Sequence, residues 1–273
     1  MRRSPTRRGV TQTDVLIVIT LLVLLIPIVL VFLPARRHGT PANRVKCASN
    51  LKQIGLAMLL YANENRGQYP RAFYLPGPDV KPVWGTGATS SNPFTGPDPN
   101  DVTAAMFLLL RTQDITSEVF TCPSSNAEKE LYGGGNNAAL HRANFTDIKK
   151  NLSYSMHNPY PSDGVITEKD KTWWTNNMSA EFAVAADINP GIVGTDDNVL
   201  HPNNTSSAKD MKFANSSNHD GDGQNVLFGD GHVEFLQNPF VGIKRDHIYA
   251  NKKGQVVASP VDAEDSVLLP TDD

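Results

Sequence analysis

The chain lacks the features that mark several common classes of function. Its 25 basic and 28 acidic side chains give a net charge of −3 at pH 7, and no basic patch indicates a nucleic-acid partner. The glycines at 133–135 lack the Lys-Ser/Thr that follows the glycines of a phosphate-binding loop, which excludes nucleotide binding there. Neither Cys47 nor Cys122 has the nearby His and Asn or Asp that a cysteine nucleophile requires.

A long apolar run near the start of the chain is the strongest positive signal. Residues 15–33 form 19 nearly uninterrupted apolar positions, and a helix of that length, at about 1.5 Å per residue, crosses most of a membrane core of about 30 Å. Four arginines precede the run, which favours a cytoplasmic N-terminus and an extracytoplasmic location for 34–273. The sequence therefore predicts a basic leader over 1–9 and a single membrane helix over 10–34. A cleaved secretory signal is the alternative, although residues 33–36 lack its Ala-x-Ala-like site.

The residues just before that run resemble a processing signal. The segment Arg8-Gly9-Val10-Thr11-Gln12-Thr13-Asp14 is similar to the type IV prepilin signal, in which a basic leader ends in Gly and an acid follows in the first helical turn. The resemblance implies cleavage between Gly9 and Val10 by a prepilin peptidase. It also implies that Asp14, a costly carboxylate in an apolar helix, pairs with the new N-terminal amine of a neighbouring pilin-like subunit. The alternative is a helix N-terminal acid that lies at the headgroup level.

Residues 43–62 carry apolar side chains at three- and four-residue steps, which predicts an amphipathic helix that packs on a sheet. Asn43 is the expected N-cap, and Gly67 suits a left-handed position just beyond the end of the helix. Two prolines, Pro34 and Pro41, predict an interruption between this helix and the apolar run.

Two further passages carry a family resemblance. Residues 47–70, and residues 225–235 with His219 upstream, are similar to the planctomycete-type prepilin-like family that carries domain of unknown function 1559 and a C-terminal His-x9-Asp-Gly signature. Ten residues, one more than the signature has, separate His219 from Asp230 here. The resemblance implies an envelope pseudopilin-like protein, processed and methylated at its N-terminus, in a type II secretion-like apparatus. It implies no reaction, so we expect no enzyme.

Taken on its own, the second passage predicts a β-hairpin. Residues 226–228 and 232–235 alternate as short strands around Gly229-Asp230-Gly231, and Asp-Gly is favoured in tight turns that need positive φ. Asp230 and His232 are therefore expected to be turn and strand residues rather than catalysts.

A calcium site is a further hypothesis for the segment before the hairpin. Its ligands would be the oxygen-bearing side chains of Asn218, Asp220, Asp222 and Asp230, because alternating oxygen ligands before a Gly begin a calcium loop. A Gly stands where the bidentate Glu is expected, and Asp/Gly-rich turns without an ion are common. A transition-metal cluster of His219, Asp230 and His232 is the other ligand set considered.

The two cysteines are expected to pair, because lone thiols outside the membrane usually form a disulfide. A Cys47–Cys122 bond would close a loop of about 75 residues and stabilise the fold by roughly 4 kcal/mol. Two reduced buried thiols are the alternative. Residues 118–120, just before Cys122, could form a short strand.

The rest of the chain reads as loops around a few elements. Residues 71–218 have the composition of a loop-rich insertion with a helix near 102–111, and residues 259–273 read as a solvated acidic tail. The aromatic residues in this region either pin loops to a core or contact a carbohydrate or a protein. They are Tyr154, Tyr160, Trp173 and Trp174.

The sequence therefore predicts an α+β, pilin-like fold. A long N-terminal membrane and amphipathic helix packs on an antiparallel sheet with long loops, and 35–258 form the extracytoplasmic domain. The predicted function is structural, in a pseudopilus of the inner membrane, with the prepilin peptidase, other pilin-like subunits and the lipid bilayer as partners and calcium as the one optional ion. A membrane-anchored module that binds glycan or protein is the alternative. A metal-dependent enzyme would require His219, Asp230 and His232 to converge.

Overall fold

The chain divides into two compact units, Met1–Arg37 and His38–Asp273. The computed structural model describes residues 12–32, 41–135, 138–167, 169–191 and 202–272, with the backbone alone described at Asp14, Val18 and 26–32. In the first unit, helix α1 spans Gln12–Phe32. Among the residues described in full, no helix is both long enough and apolar enough to cross a membrane. The membrane span over 10–34 therefore stays a prediction.

The second unit is an α+β domain, and its first helix confirms the predicted amphipathic pattern. Helix α2 spans Pro41–Glu64, so Asn43 lies in its first turn and is not the N-cap that the sequence predicted. Gly67 has a φ of +83° and its N–H donates to the Ala62 carbonyl at 2.7 Å, so a left-handed glycine closes the helix as predicted. One face of α2 is buried and packs across the sheet, where Gly55 lets the backbone approach Leu227 closely. The remaining helices are α3 (Val102–Thr112), α4 (Ile148–Asn151) and α5 (Ala208–Met211).

Five antiparallel strands form one sheet in the order β4-β3-β2-β1-β5. The strands are β1 (Tyr154–His157), β2 (Ala183–Asp187), β3 (Gln224–Phe228), β4 (Val233–Leu236) and β5 (Leu268–Leu269). Both faces of the sheet are covered. Leu227 packs in the cluster that includes α2 and α3, whereas Val226 and Phe228 pack with Ile248 and Tyr249 from the C-terminal segment.

The hairpin of β3 and β4 is confirmed, but its turn differs from the prediction. Gly231 donates to the Phe228 carbonyl at 2.8 Å, and Phe228 donates to the His232 carbonyl at 3.0 Å. Of the three loop residues only Gly231 has a positive φ, at +81°. The loop is thus a three-residue connection, a turn followed by a left-handed glycine, and Asp230 needs no positive φ.

Two regional interpretations were wrong. Residues 71–218 are not an insertion beside the fold, because they supply β1 and β2, two of the three inner strands, as well as the buried helix α3. Residues 259–273 are not a solvated tail, because β5 pairs with β1 at the sheet edge and residues 265–271 are buried. Residues 118–120, expected as a strand, belong to the 3-10 helix Ser117–Phe120.

The predicted helix near 102–111 is confirmed as α3, and its start has a local cause. The Asp101 carboxylate accepts the Ala104 N–H at 2.8 Å and so caps the helix, while the same side chain accepts bonds from Thr86. The two bonds from Thr86 tie the loop that precedes α3 to the start of the helix. The loops of this region are therefore held by specific polar contacts to a buried helix.

Candidate functional site

A buried carboxylate–imidazole pair lies where β2 ends. Asp187 is the last residue of β2, and His219 ends the 3-10 helix Ser217–His219. His219 Nε2 lies 3.1 Å from Asp187 Oδ2, and both side chains are fully buried. Burying an ionised carboxylate is costly unless polar groups surround it, so the remaining contacts of Asp187 decide whether the pair is stable.

Amide groups supply those contacts. Asn225 donates to Asp187 Oδ2 from its backbone N–H at 2.6 Å and from its side chain at 3.0 Å, and the Asn218 side chain donates to Oδ1 at 3.2 Å. With the imidazole, four nitrogen atoms surround one carboxylate. His219 Nε2 also lies 3.2 Å from the Asn225 side-chain nitrogen, so the carboxylate and the amide together hold the ring in place.

The predicted disulfide is present and lies beside this pair. Cys47 of α2 is bonded to Cys122, with a Cα–Cα distance of 5.2 Å. One ligand atom each from Cys47, Cys122, Asp187 and His219 lies within 4.8 Å of the other three, and all four residues are buried. The bond joins α2 to the segment that follows the 3-10 helix Ser117–Phe120.

Two polar atoms in this region have no hydrogen-bond partner among the described residues. They are His219 Nδ1 and Asn50 Oδ1, and both are buried. The Asn50 amide nitrogen does bond, to the Thr121 carbonyl at 2.9 Å and to the Tyr154 hydroxyl at 3.2 Å. An unpaired buried acceptor costs free energy, so each of these atoms calls for a physical account.

The hypothetical calcium ligands are not brought together. The Asn218 side chain is bound to Asp187 and to the Ser153 carbonyl. The Asp222 carboxylate contacts Lys212 and Arg44, each at 2.8 Å, and their donation lowers its pKa. In the described part of the chain, the group of His, Cys, Asp and Glu ligands close enough to share an ion contains neither Asp220, Asp222 nor Asp230.

The transition-metal set fails for the same reason. His219 is buried at the end of β2, whereas His232 and Asp230 lie half-exposed in the hairpin turn. Asp230 accepts the backbone N–H of His232 at 2.9 Å and contacts its ring at 2.5 Å, and these bonds lower the pKa of the carboxyl. Asp230 lies in the turn as expected, whereas His232, expected in the strand, lies one residue before β4.

The structure describes no side-chain contact for the three residues to which the predicted processing signal assigns a role. Gly9 and Val10 lie outside the described residues, and Asp14 is described by its backbone alone, in the first turn of α1. Their assigned roles therefore stay predictions.

The aromatic residues mostly serve the core. Tyr154, Tyr160 and Trp174 are buried, which supports the interpretation that they pin loops. Trp173 is half-buried, and it lines a cavity of about 240 Å³ together with Trp174.

A larger cavity of about 470 Å³ lies near the C-terminal segment. Its lining includes the exposed cations Lys244 and Arg245, the apolar Phe240 and the carboxyl of Asp246. Burial raises the pKa of Asp246 to about 7, and burial raises the pKa of the neighbouring Asp265 to about 6. Lys244 and Arg245 both have left-handed backbones, with φ of +58° and +64°, a conformation that costs free energy in residues other than glycine.

The sequence interpretation missed three of these carboxyl groups. Asp187 follows four apolar residues in a run of small side chains, and an acid that ends such a run is the signal for a buried partner. Asp246 and Asp265 lie in polar stretches of sequence, which indicated exposed loops and gave no sign that these two carboxyl groups are buried.

No protein-family model, curated protein or solved structure matches this chain.

Proposed function

We propose that the protein is a pilin-like structural subunit of the cell envelope, anchored in the cytoplasmic membrane by residues 10–34. A prepilin peptidase cuts it after Gly9, and the domain from residue 35 onward lies outside the membrane. The subunit joins other pilin-like subunits in a type II secretion-like pseudopilus. The proposal assigns the chain no reaction.

The observation that carries this proposal is the two-sided character of α2. Its inner face packs on an antiparallel sheet, while its outer face exposes Val45, Leu56 and Leu60, which are 70%, 51% and 54% accessible. Monomeric proteins expose single apolar side chains routinely, but three along one helix line favour contact with another apolar surface. The contact expected of a pilin-like subunit is helix to helix.

The disulfide adds support for the location. Disulfides form and persist in oxidising compartments and are rare in the cytosol. The Cys47–Cys122 bond therefore agrees with a domain that lies on the outer side of the cytoplasmic membrane.

Intact mass of the membrane-extracted chain, from cells that also express a prepilin peptidase, tests the proposal. We expect loss of residues 1–9, with or without one methyl group on Val10. Gly9→Leu should block this cleavage, whereas Gly39→Leu, outside the signal, should not. A chain that keeps Met1 while a control prepilin is cut in the same cells would contradict the proposal.

The cavity of about 470 Å³ favours a second candidate, a membrane-anchored module that binds glycan or protein. Its mixture of apolar wall, amides and cations is of the kind that small-ligand sites use. A chain that keeps its leader, forms no assemblies and binds a neutral or acidic oligosaccharide would favour this candidate. Arg245→Glu should weaken that binding, and Lys129→Glu, distant in sequence and not in the cavity lining, should not.

A further inference from the structure

The disulfide and the buried pair together form a set of donors for a soft divalent metal. Zinc is bound by thiolates and imidazole, usually as four tetrahedral ligands with Zn–S distances of about 2.3 Å. Two sulfurs in such a site lie about 3.8 Å apart. The four donor atoms of Cys47, Cys122, His219 and Asp187 already lie within 4.8 Å of one another.

The unpaired His219 Nδ1 is a second, independent observation. Metal-bound histidines almost always donate their other ring N–H to a carboxylate, which fixes the ring and raises its basicity. In His219, Nε2 lies 3.1 Å from the Asp187 carboxylate while Nδ1 is buried without a partner among the described residues. The ring thus has a carboxylate beside one nitrogen and no protein partner on the other.

Asp187 is the less suitable ligand of the four. Its Oδ2 accepts from the backbone and side-chain nitrogens of Asn225 and lies 3.1 Å from His219 Nε2, and its Oδ1 accepts from Asn218. These bonds occupy most of its acceptor capacity. The carboxylate therefore serves to orient the imidazole.

We propose that, when the Cys47–Cys122 bond is reduced, the two thiolates and His219 Nδ1 bind one Zn²⁺, with Asp187 as the positioning residue. A dithiol reductant breaks the S–S bond by thiol–disulfide exchange: it supplies two electrons and two protons and is itself oxidised to a disulfide. Metal binding then releases the two thiol protons, because only thiolates ligate zinc. The same core thus has an oxidised covalent form and a reduced metal-bound form.

This zinc site does not depend on leader cleavage or filament assembly. The zinc proposal and the proposed pilin-like function can therefore be contradicted separately. The test uses the full chain in detergent micelles, either oxidised or reduced without oxygen by a phosphine until intact mass after thiol labelling counts two free thiols. Co²⁺ is the probe, because thiolate ligands give it charge-transfer absorption, and Zn²⁺ then competes. We expect one Co²⁺ per reduced chain, displaced by Zn²⁺, and no such absorption in the oxidised chain.

Two variants give the matched comparison. His219→Gln should weaken Co²⁺ binding to the reduced chain at least tenfold, whereas His232→Gln, which changes the half-exposed histidine of the turn, should leave it unchanged. Equal binding by the two variants would overturn the proposal. So would a folded, reduced chain with two free thiols that gives no charge-transfer absorption.

The proposal can be tested even if the chain unfolds when the disulfide is reduced. If reduction alone abolishes the native circular dichroism, recovery on addition of Zn²⁺ supports the site and failure to recover overturns it. X-ray absorption at the zinc edge of the reduced wild-type chain needs no variant. Two sulfur ligands and one imidazole support the assignment, and a shell of nitrogen and oxygen alone contradicts it.

Discussion

His219 Nε2 lies 3.1 Å from Asp187 Oδ2 in the interior, and both side chains are fully buried. A second Asp–His contact, between Asp230 and His232, lies half-exposed in the β3–β4 turn. The two pairs have the same chemistry and opposite surroundings. Their energetic importance should differ accordingly, because removing one partner from a buried pair leaves polar groups without water or protein partners.

Asp187→Ala should lower the free energy of unfolding by about 3–5 kcal/mol, because it strands the donors of Asn218 and Asn225 and removes the carboxylate beside the buried His219 ring. Asp230→Ala should cost less than about 1 kcal/mol, because solvent screens and replaces its contacts. Urea unfolding of the full chain in detergent, followed by circular dichroism, measures both. Similar losses in the two variants would show that burial does not govern the Asp187 pair.

The disulfide should contribute strongly to stability because it closes a long loop. Its sequence separation is 75 residues, for which loop-closure entropy gives about 4 kcal/mol. Cys47→Ala with Cys122→Ala should therefore lower the urea midpoint markedly in oxidising buffer. The wild-type chain should converge on the double variant when it is reduced in a metal-free buffer. A midpoint unchanged by either treatment would contradict the entropic account.

Stability should depend on pH through Asp246. Burial raises its folded-state pKa to about 7 from 3.8, so between about pH 4 and 7 the folded chain keeps a proton that the unfolded chain releases. Its stabilising contribution is complete below pH 4 and is lost as the pH rises through 7. Asp246→Asn, which stays neutral, should remove about 2–4 kcal/mol of this decline.

Thermal unfolding between pH 4 and pH 8 measures that effect. The exposed Asp79 offers a matched control, since Asp79→Asn should leave the slope of melting temperature against pH unchanged. A slope that Asp246→Asn does not flatten would show that this carboxyl ionises freely in the folded chain.

The two glycines of the hairpin turn should tolerate alanine unequally. A Cβ at Gly229 would lie 2.2 Å from the Ser179 carbonyl oxygen, whereas at Gly231 its closest neighbour is the flexible end of Lys52 at 3.8 Å. Gly231→Ala should cost about 1 kcal/mol from its φ of +81° alone. Gly229→Ala should cost more, roughly 2 kcal/mol or above, because backbone must shift. Equal melting temperatures would contradict this order.

The exposed line of α2 should matter for assembly and not for folding. Leu56→Gln with Leu60→Gln should leave the melting temperature of the subunit within a few degrees, because both side chains are about half accessible. The pair should reduce the yield of crosslinked oligomers from membranes by severalfold. Gln53→Ala with Ser49→Ala, on the same face, should leave that yield unchanged, and a loss common to both double variants would argue against a specific apolar contact.

Local pattern was enough to predict several elements. The three- and four-residue spacing over 43–62 predicted α2, the apolar stretch near 102–111 predicted α3, and alternation around Gly229-Asp230-Gly231 predicted the hairpin. Each of these signals lies within one continuous stretch of the chain. The predicted cysteine pairing needed only the count of two and the expected compartment.

Strands β1 and β2 escaped detection because both faces of the sheet are covered. Strand β2 reads Ala-Val-Ala-Ala-Asp, with small residues in place of the bulky β-branched side chains that mark strands, and it shows no alternation of polar and apolar positions. Likewise 265–271 read as an acidic tail, although β5 and its neighbours are buried against β1. Whether such a segment forms a strand depends on its pairing with a strand that is distant in the sequence.

The sequence by itself determined helices α2 and α3, the hairpin and the pairing of the two cysteines, because these follow from periodicity, composition and cysteine count without knowledge of the tertiary contacts. Only the tertiary structure decided that His219 meets Asp187 rather than Asp230 or His232, and that this pair lies beside Cys47–Cys122. That meeting joins four segments that are far apart in the chain. The physical reason is that a buried carboxylate is stable only where donors from several elements converge, and sheet pairing sets where they converge.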